Sequence, residues 1–516
     1  MIRATLHTLL ALCLTTSSAL SQETASAWNQ FRGPNGSGVA ADCAPPVQFA
    51  LEDADWSVPV PPGLSSPVIA GDRLFLTAIE DERLITLAFD KISGELLWRR
   101  EAPDVSLEPV HETSSPVAST PCTDDERLYV YFGSYGLLSY DLDGREQWKM
   151  AIPTPRSLYG MSTSPILHEG RLILVLDDEA NLPDSELSRS KVIALDKASG
   201  ELVWETARPF VRSGWSTPII WRYDGAEELV ILGSGRLYGY DADTGEEKWF
   251  VSGFSRETIA VPIAGDGLLY ASAAKLGGTG DAQPDPEPFW NSLMQFDTNG
   301  DDKIERSEMT GHFTFPLRPE LPVGHPGYGI PLPRDPDARK GRLDGILGWV
   351  DKNKDGFWTR EEFEQTMSPG PGRPLLVAVE PGGQGDASKS GVVWEVNRNI
   401  PEIPSPIFYD GRIYMVRDGG IVSAVDADSG RILYRERLDA TGPYSASPVI
   451  ANGHLYMASG EGVVSVIRCG DDFELVCQAD LQDRIHATPA IDESTIYIRT
   501  NERIYAFRVE ESLASE

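Results

Sequence analysis

The sequence predicts an all-β fold, an eight-bladed β-propeller of four-stranded blades with a small α-helical insertion in blade five. Three observations predict it. A short phrase of small residues followed by Pro recurs eight times along the 516 residues. A second phrase, Asp followed about eight residues later by an aromatic, interleaves with the first. An orphan strand also precedes the first Pro phrase, while the last repeat lacks its fourth strand. Four strands in roughly 42 residues is the arithmetic of a propeller blade.

Composition supports this and narrows the function. The 48 Gly and 38 Pro supply turn residues for many short strands. At 41% hydrophobic residues the chain can bury a large core, which rules out wholesale disorder. The 45 Lys and Arg face 78 Asp and Glu, a formal net charge of −33. Such a surface repels phosphate backbones, so no nucleic-acid partner is expected, and it favours hard cations such as calcium.

Residues 1–21 read as a secretory signal. Arg3 gives the positive charge, Leu9–Leu14 the apolar run and Ala19-Leu20-Ser21 the cleavage site, placed after Ser21. A lipoprotein signal at Cys13 is disfavoured because bulky Leu12 precedes it. No other stretch reaches the 18 apolar residues of a membrane span. The mature protein is therefore expected in the periplasm or outside the cell, with no membrane span. Disulfides are permitted there. Cys43, Cys122, Cys469 and Cys477 remain, without metal-type spacing, and the pairing of Cys43 and Cys122 stays open.

The Pro phrase reads Ser65-Ser66-Pro67, Ser119-Thr120-Pro121, Thr163-Ser164-Pro165, Ser216-Thr217-Pro218, Ala260-Val261-Pro262, Pro404-Ser405-Pro406, Ala446-Ser447-Pro448 and Ala487-Thr488-Pro489. Successive prolines stand 54, 44, 53, 44, 144, 42 and 41 residues apart. The second phrase joins Asp90 to Trp98, Asp141 to Trp148, Asp196 to Trp204, Asp241 to Trp249 and Asp426 to Tyr434. Its turn usually holds a Gly, as Gly200 does, to supply positive φ. In the first unit the strands are A (Pro67–Ala70), B (Leu74–Ala78), C (Leu84–Phe89) and D (Glu95–Arg99). The strand D aromatic is read as packing between blades. The last unit has A (Pro489–Ile491), B (Thr495–Arg499) and C (Arg503–Arg508). The orphan Asp55-Trp56-Ser57-Val58-Pro59 should supply its D strand and close the ring. In blade seven Cys469 replaces the Asp and Cys477 the aromatic, so a disulfide between them is expected to replace the lost contact.

The 144-residue spacing holds one blade plus about 100 residues. Strand B of blade five ends near Ala274, C resumes at Pro374–Val379, and D contains Trp394. The propeller thus spans 22–274 and 374–510, with the insertion at 275–373 and a tail at 511–516. Gly277–Glu287 reads as a flexible linker. Two twelve-residue loops follow: Asp297, Asn299, Asp301, Lys303, Glu305 and Glu308 in the first, Asp351, Asn353, Asp355, Phe357, Thr359 and Glu362 in the second. They match the EF-hand pattern, with side-chain oxygens at positions 1, 3, 5, 9 and 12 and a backbone carbonyl at 7, where a hard cation finds its oxygen ligands. Helical flanks are expected at Phe289–Phe296, Gly345–Val350 and Glu361–Met367. Asp302 stands where the loop needs a strained turn. The first loop should therefore bind more weakly, or hold Asp302 in the left-handed conformation.

The phrase Ala-x-Asp-x-x-x-Gly-x-x-x-Trp, clearest from Ala194 through Asp196 and Gly200 to Trp204 and from Ala88 through Asp90 and Gly94 to Trp98, resembles the PQQ-like (quinoprotein-type) β-propeller repeat. Trp28-Asn29-Gln30-Phe31-Arg32-Gly33-Pro34 is similar to the start of many exported proteins of that family. The resemblance covers nearly the whole mature chain outside the insertion and implies an eight-bladed propeller. Its members divide into PQQ-dependent dehydrogenases and scaffolds that bind no quinone. The alcohol dehydrogenases carry two adjacent cysteines against PQQ, which this chain lacks, and their calcium ligands beside PQQ find no match here.

In a four-stranded blade the B–C and D–A connections share one face, and the D–A connections lead to the mouth of the central channel. Residues before the Pro phrases should ring that mouth. Among them His111, Glu112, Arg156, Trp215, Arg484 and His486 are candidate ligand-binding residues, with Tyr159, Arg212, Glu402 and Tyr444 beside them. Their mixture of Arg, His, Glu and aromatic groups suggests an anionic or sugar-like ligand. None is assigned a catalytic role. The insertion, a B–C connection, should emerge on the same face as a lid. The leading reading is an exported, calcium-binding scaffold or binding module with envelope proteins or glycans as partners. The alternative is a PQQ-dependent dehydrogenase of an alcohol or sugar.

Overall fold

Strands B and C of each unit are continuous apolar runs because neighbouring blades cover both their faces. Leu74–Leu76 and Ala88 are fully buried, whereas the outer strand D of the same blade exposes Leu96 and Leu97. The computed structural model describes residues 28–157, 159–178, 188–209, 211, 214–274, 287–310, 313–316, 329–351, 353–366 and 373–509. The secretory signal, the linker at Gly277–Glu287 and Arg212 lie outside or largely outside them.

Eight antiparallel sheets form a propeller. Blade one comprises A (Val68–Ala70), B (Arg73–Glu80), C (Arg83–Asp90) and D (Leu96–Glu101). Blades two, three and four occupy 122–151, 166–207 and 219–252, and blades six and seven 407–437 and 449–480. Blade five has A (Ile263–Gly265), B (Leu268–Ala273), C (Leu375–Val379) and D (Val392–Val396). The insertion therefore lies between its B and C strands. In blade eight Trp56–Pro59 pairs antiparallel with Arg503–Arg508, Trp56 opposite Ala506, so the N-terminal strand closes the ring. Strands A of adjacent blades touch and surround the channel.

Two blades carry an unforeseen fifth strand. Val39–Ala40 pairs in parallel with strand A of blade seven. Gly385–Asp386, from the C–D turn of blade five, pairs in parallel with strand D of blade four.

The cysteine bridge of blade seven is not formed: Cys469 and Cys477 are both free thiols. They face different seams. Cys469 packs with Tyr434 and Phe473 between blades six and seven. Cys477 joins the cluster holding Phe49 and the blade-eight strands, its sulfur 3.5 Å from the Phe49 carbonyl oxygen. Phe49, its ring tilted against that of Phe507 at 4.6 Å, supplies the aromatic that blade seven lacks.

The insertion has its own core, built on Trp290, Leu293, Phe296, Ile304, Trp358 and Phe363 among others. Helix α1 (Glu287–Leu293) runs into a 3-10 turn at Met294–Phe296, α2 spans Pro336–Val350, and α3 spans Arg360–Thr366. Helix α2 begins well before the expected Gly345.

Candidate functional site

The repeat phrases are spent on joining blades. Asp90 Oδ1 accepts hydrogen bonds from the Ser93 amide and hydroxyl, and Asp196, Asp241 and Asp426 do the same with Ser199, Thr244 and Ser429. These donors hold each carboxyl below its ordinary pKa. The turn Gly that follows has φ near +75°, and the tryptophan of the preceding blade lies on it. A Cβ on Gly94 would stand 2.6 Å from Trp56, and one on Gly144 2.7 Å from Trp98. The indole N–H of Trp98 donates to the Leu142 carbonyl at 2.8 Å and that of Trp148 to the Lys197 carbonyl at 3.0 Å, each a carbonyl of that same turn.

The Pro phrase builds a belt around the channel. The Ser66 amide donates to the Thr120 hydroxyl, Thr120 to Ser164, and Ser164 to Thr217. The belt resumes from Val261 to Ser405, Ser447, Thr488 and back to Ser66. Val261, which has no hydroxyl, interrupts it.

Residues 28–38 cross the channel from the side of the A–B turns. The Trp28 carbonyl accepts from Ile69 of blade one, the Asn29 carbonyl from Thr123 of blade two, and the Gly38 carbonyl from Ile450 of blade seven. Asn35 pairs through both side-chain atoms with the Ile220 backbone of blade four, at 2.7 and 2.9 Å. Arg32, fully buried, donates to the Pro406 carbonyl of blade six at 2.6 Å. Burial lowers its pKa to about 9, so it stays charged at neutral pH. One segment thus plugs the channel and ties five blades together.

Above the plug lies a cavity of about 390 Å³, floored by Phe31 and walled by the belt hydroxyls and the D–A connections. Trp215 and His486 line it, as the sequence placed them, and so do Tyr159 and Glu402. His111 lies on the rim, exposed, its ring 5.2 Å from Tyr159. Glu112 is exposed beside it. Arg156 turns to Asp178 at 3.2 Å, Arg484 points to solvent, and Tyr444 is buried with its hydroxyl on the Ala440 carbonyl. None of these three lines the cavity. Of the expected mixture of Arg, His, Glu and aromatics, the described lining holds His, Glu and aromatics; its acidic groups are Glu257 and Glu402, and it has no Lys or Arg. Glu257 was missed, although it stands before the Ala260-Val261-Pro262 phrase as Trp215 stands before its own. Phe31 carried no signal at all.

Trp215 is fixed by its indole N–H, which donates to the Gly160 carbonyl at 2.9 Å, and its ring meets Tyr159 edge-on at 5.3 Å. His486 Nδ1 is 2.9 Å from the Ser445 hydroxyl, and burial pushes its pKa down. Burial also raises the pKa of Glu257.

Glu108, in the D–A connection from blade one to blade two, is buried at 7% exposure with Oε1 unpartnered. Burial raises its pKa from 4.5 to about 7. Raised in the fold, this carboxyl favours folding below its unfolded pKa, and that contribution is lost as pH rises through 7. At 1.4 kcal/mol per unit the loss approaches about 3 kcal/mol by pH 9. Glu108→Gln should therefore gain about that much over wild type between pH 5 and 9 in urea titrations. A constant difference across that range would refute the assignment.

His168, Glu169 and Glu227 bring ligand atoms within 4.8 Å of one another between blades three and four. Glu227 already holds Arg222 at 2.6 Å, so the group is read as an ion-pair network.

The two acidic loops of the insertion lie side by side, joined by an antiparallel pair between Ile304–Glu305 and Phe357–Trp358. Asp297 accepts from the amides of Gly300, Asp301 and Asp302, and Asp351 from those of Asp355 and Gly356. Glu308 and Glu362 fold back onto the amides of Glu305 and Thr359. Asp302 has φ of 60° and Gly356 of 88°, the left-handed backbone expected at that turn. The carboxylates of each loop are thus engaged by amides of that same loop.

The family model described as outer membrane protein assembly factor BamB matches residues 53–181, 188–295 and 385–472, more than half of the chain. The crystal structure of BamB from Moraxella catarrhalis superposes with a TM-score of 0.52 at 12% identity, covering 89% of this chain and 98% of that one. The computationally designed Ika8 protein gives 0.48 at 10% identity, covering 87% and 98%. No curated protein sequence matches the chain. Among the described residues no helix is long and apolar enough to cross a membrane.

Proposed function

The chain belongs to the family of outer membrane protein assembly factor BamB, and from that premise we propose that it is a calcium-binding scaffold or binding module of the cell envelope, periplasmic or extracellular. One observation carries the reading. The Asp, Gly, Trp and Ser/Thr residues of the repeat are consumed in joining blades, and the plug seals one end of the channel. What remains for recognition is a single face, which holds the blind cavity and from which the insertion emerges. Envelope proteins or glycans are the partners this face would meet.

PQQ does not fit the cavity. It is a tricarboxylate, and the charged side chains it would meet there are Glu257 and Glu402. The dehydrogenase reading is therefore set second, and no step is derived through the quinone. Calcium fits the insertion. Asp297, Asn299, Asp301, Glu305 and Glu308, with the Lys303 carbonyl, would hold one ion. Asp351, Asn353, Asp355, Thr359 and Glu362, with the Phe357 carbonyl, would hold the other. Bound calcium supplies charge neutralisation to loops that otherwise repel themselves, and so orders the insertion.

Two titrations test this. PQQ added to the calcium-loaded protein should give no binding heat; stoichiometric uptake with dye reduction on an alcohol would restore the dehydrogenase. Calcium added to the chelated protein should show two sites, and Asp351→Ala should lose the tighter one. An unchanged isotherm would sink that assignment.

A further inference from the structure

We propose that the blind cavity is a site for a small organic cation, an alkylammonium or guanidinium group, held between the rings of Trp215 and Tyr159 and the carboxylates of Glu257 and Glu402. The proposal rests on the binding-module reading and deepens it.

The size is right. A cavity of about 390 Å³ falls at the small end of ligand pockets, large enough for one amino-acid side chain or a short amine. The floor sets the shape of the ligand. Phe31 and the plug behind it block the channel, so the site takes a terminal group and cannot thread a chain.

Charge sets the chemistry. Both charged lining groups among the described residues are acidic. Glu257 is partly desolvated, which raises its pKa, and among the described residues no ion pair holds it. His486 cannot offset it, because burial favours the neutral imidazole and its Nδ1 is engaged with Ser445. An anion entering here would meet two carboxylates and gain no countercharge. A cation relieves the cost of holding Glu257 ionised.

The aromatic wall points the same way. The one polar atom of the Trp215 indole is consumed by the Gly160 carbonyl at 2.9 Å and the Ser157 hydroxyl at 3.2 Å. What Trp215 offers the cavity is its ring. Tyr159, edge-on to Trp215 at 5.3 Å and backed by His111 at 5.2 Å, adds a second ring in a fixed orientation. Aromatic rings beside carboxylates in a partly desolvated pocket recognise ammonium and guanidinium groups. The net charge of −33 draws such ligands toward the protein and makes capture sensitive to salt.

The test is calorimetry on the full mature protein with spermidine and with blocked tripeptides (N-acetylated, C-amidated) centred on Lys, Arg, Gln or Glu. Lys, Arg or spermidine probes should bind at least tenfold more tightly than the Gln peptide, and the Glu peptide should give no heat. Preference for spermidine would assign a free amine; preference for a peptide would assign a cationic side chain. Either supports the chemistry. Glu257→Gln and Glu402→Gln should each weaken the cation at least fivefold, and Trp215→Leu should do likewise with the melting temperature of each variant checked. Glu402 is exposed, so its variant tests the site without disturbing the core. Equal affinity for Gln and Lys peptides, or unchanged affinity in both Glu variants, would overturn the proposal. Failure here with no PQQ uptake leaves the scaffold reading standing, whereas PQQ uptake overturns that reading whatever the cations do.

Discussion

Asp177→Asn is expected to destabilise the propeller by about 3–5 kcal/mol, the loss seen when one partner of a buried ion pair is removed. Asp177 is 2% exposed and Arg208 3%. Arg208 Nη1 donates to Asp177 Oδ1, its Nε donates to the Tyr240 hydroxyl at 3.2 Å, and its guanidinium lies 5.4 Å from the Tyr238 ring centre. The pair therefore joins the B and D ends of blade three to strand C of blade four. Glycine backbone closes in on both side chains. A Cβ on Gly233 would stand 2.5 Å from Arg208 Nη2, and one on Gly214 2.6 Å from Asp177 Oδ2. Asn keeps the size of Asp and removes only the charge, so packing loss does not confuse the result. The double variant Asp177→Leu, Arg208→Met should recover most of the loss, because a buried pair replaced by apolar groups of similar volume costs little. Urea midpoints of the single and double variants read both effects. A single variant within 1 kcal/mol of wild type would show that water reaches the pair after all.

The blades were legible because each of their signals is local. Asp196, Gly200 and Trp204 lie within nine residues, and the alternation around them fixes strands C and D. The closing strand was legible because its tryptophan repeats the same spacing before Pro67. The turn of the first acidic loop was legible because its residue types recur at fixed positions in one segment, and the φ of Asp302 followed from its place in it. The failures share one physical cause, the absence of any local period. Val39–Ala40 and Gly385–Asp386 pair in parallel with distant strands. The plug was visible only as a family phrase, since its partners Ile220 and Pro406 lie 185 and 374 residues away and Ile450 lies farther still. Cys469 and Cys477 were adjacent in one hairpin, but sequence proximity does not reveal that they pack into different seams. The mouth residues were placed on the right connections, yet the direction of each side chain depended on partners such as Asp178, which drew Arg156 away from the cavity.

Trp28→Ala should cost a comparable 3–5 kcal/mol, the range for truncating a buried aromatic, and should act on the channel as well as on stability. Trp28 is fully buried. Its ring lies on Gly33, where a Cβ would stand 2.7 Å away, so the plug folds on itself by the same tryptophan-on-glycine packing that joins the blades. Gly33 has φ of 66°, which a larger residue would resist as well as crowd. Without the indole, the turn that aims Arg32 at Pro406 and Asn35 at Ile220 loses its support. The guanidinium of Arg32 makes this loss asymmetric. It is buried with Nε and Nη1 unpartnered, and it gains hydration as soon as the plug opens. Local opening of residues 28–38 should therefore precede global unfolding, because the blades keep their own locks. Hydrogen exchange at the amides of Ile69, Thr123 and Ile450, which the plug protects, should accelerate far more in the variant than exchange in the strand B amides. Uniform acceleration across the propeller would mean that the plug and the ring form one cooperative unit.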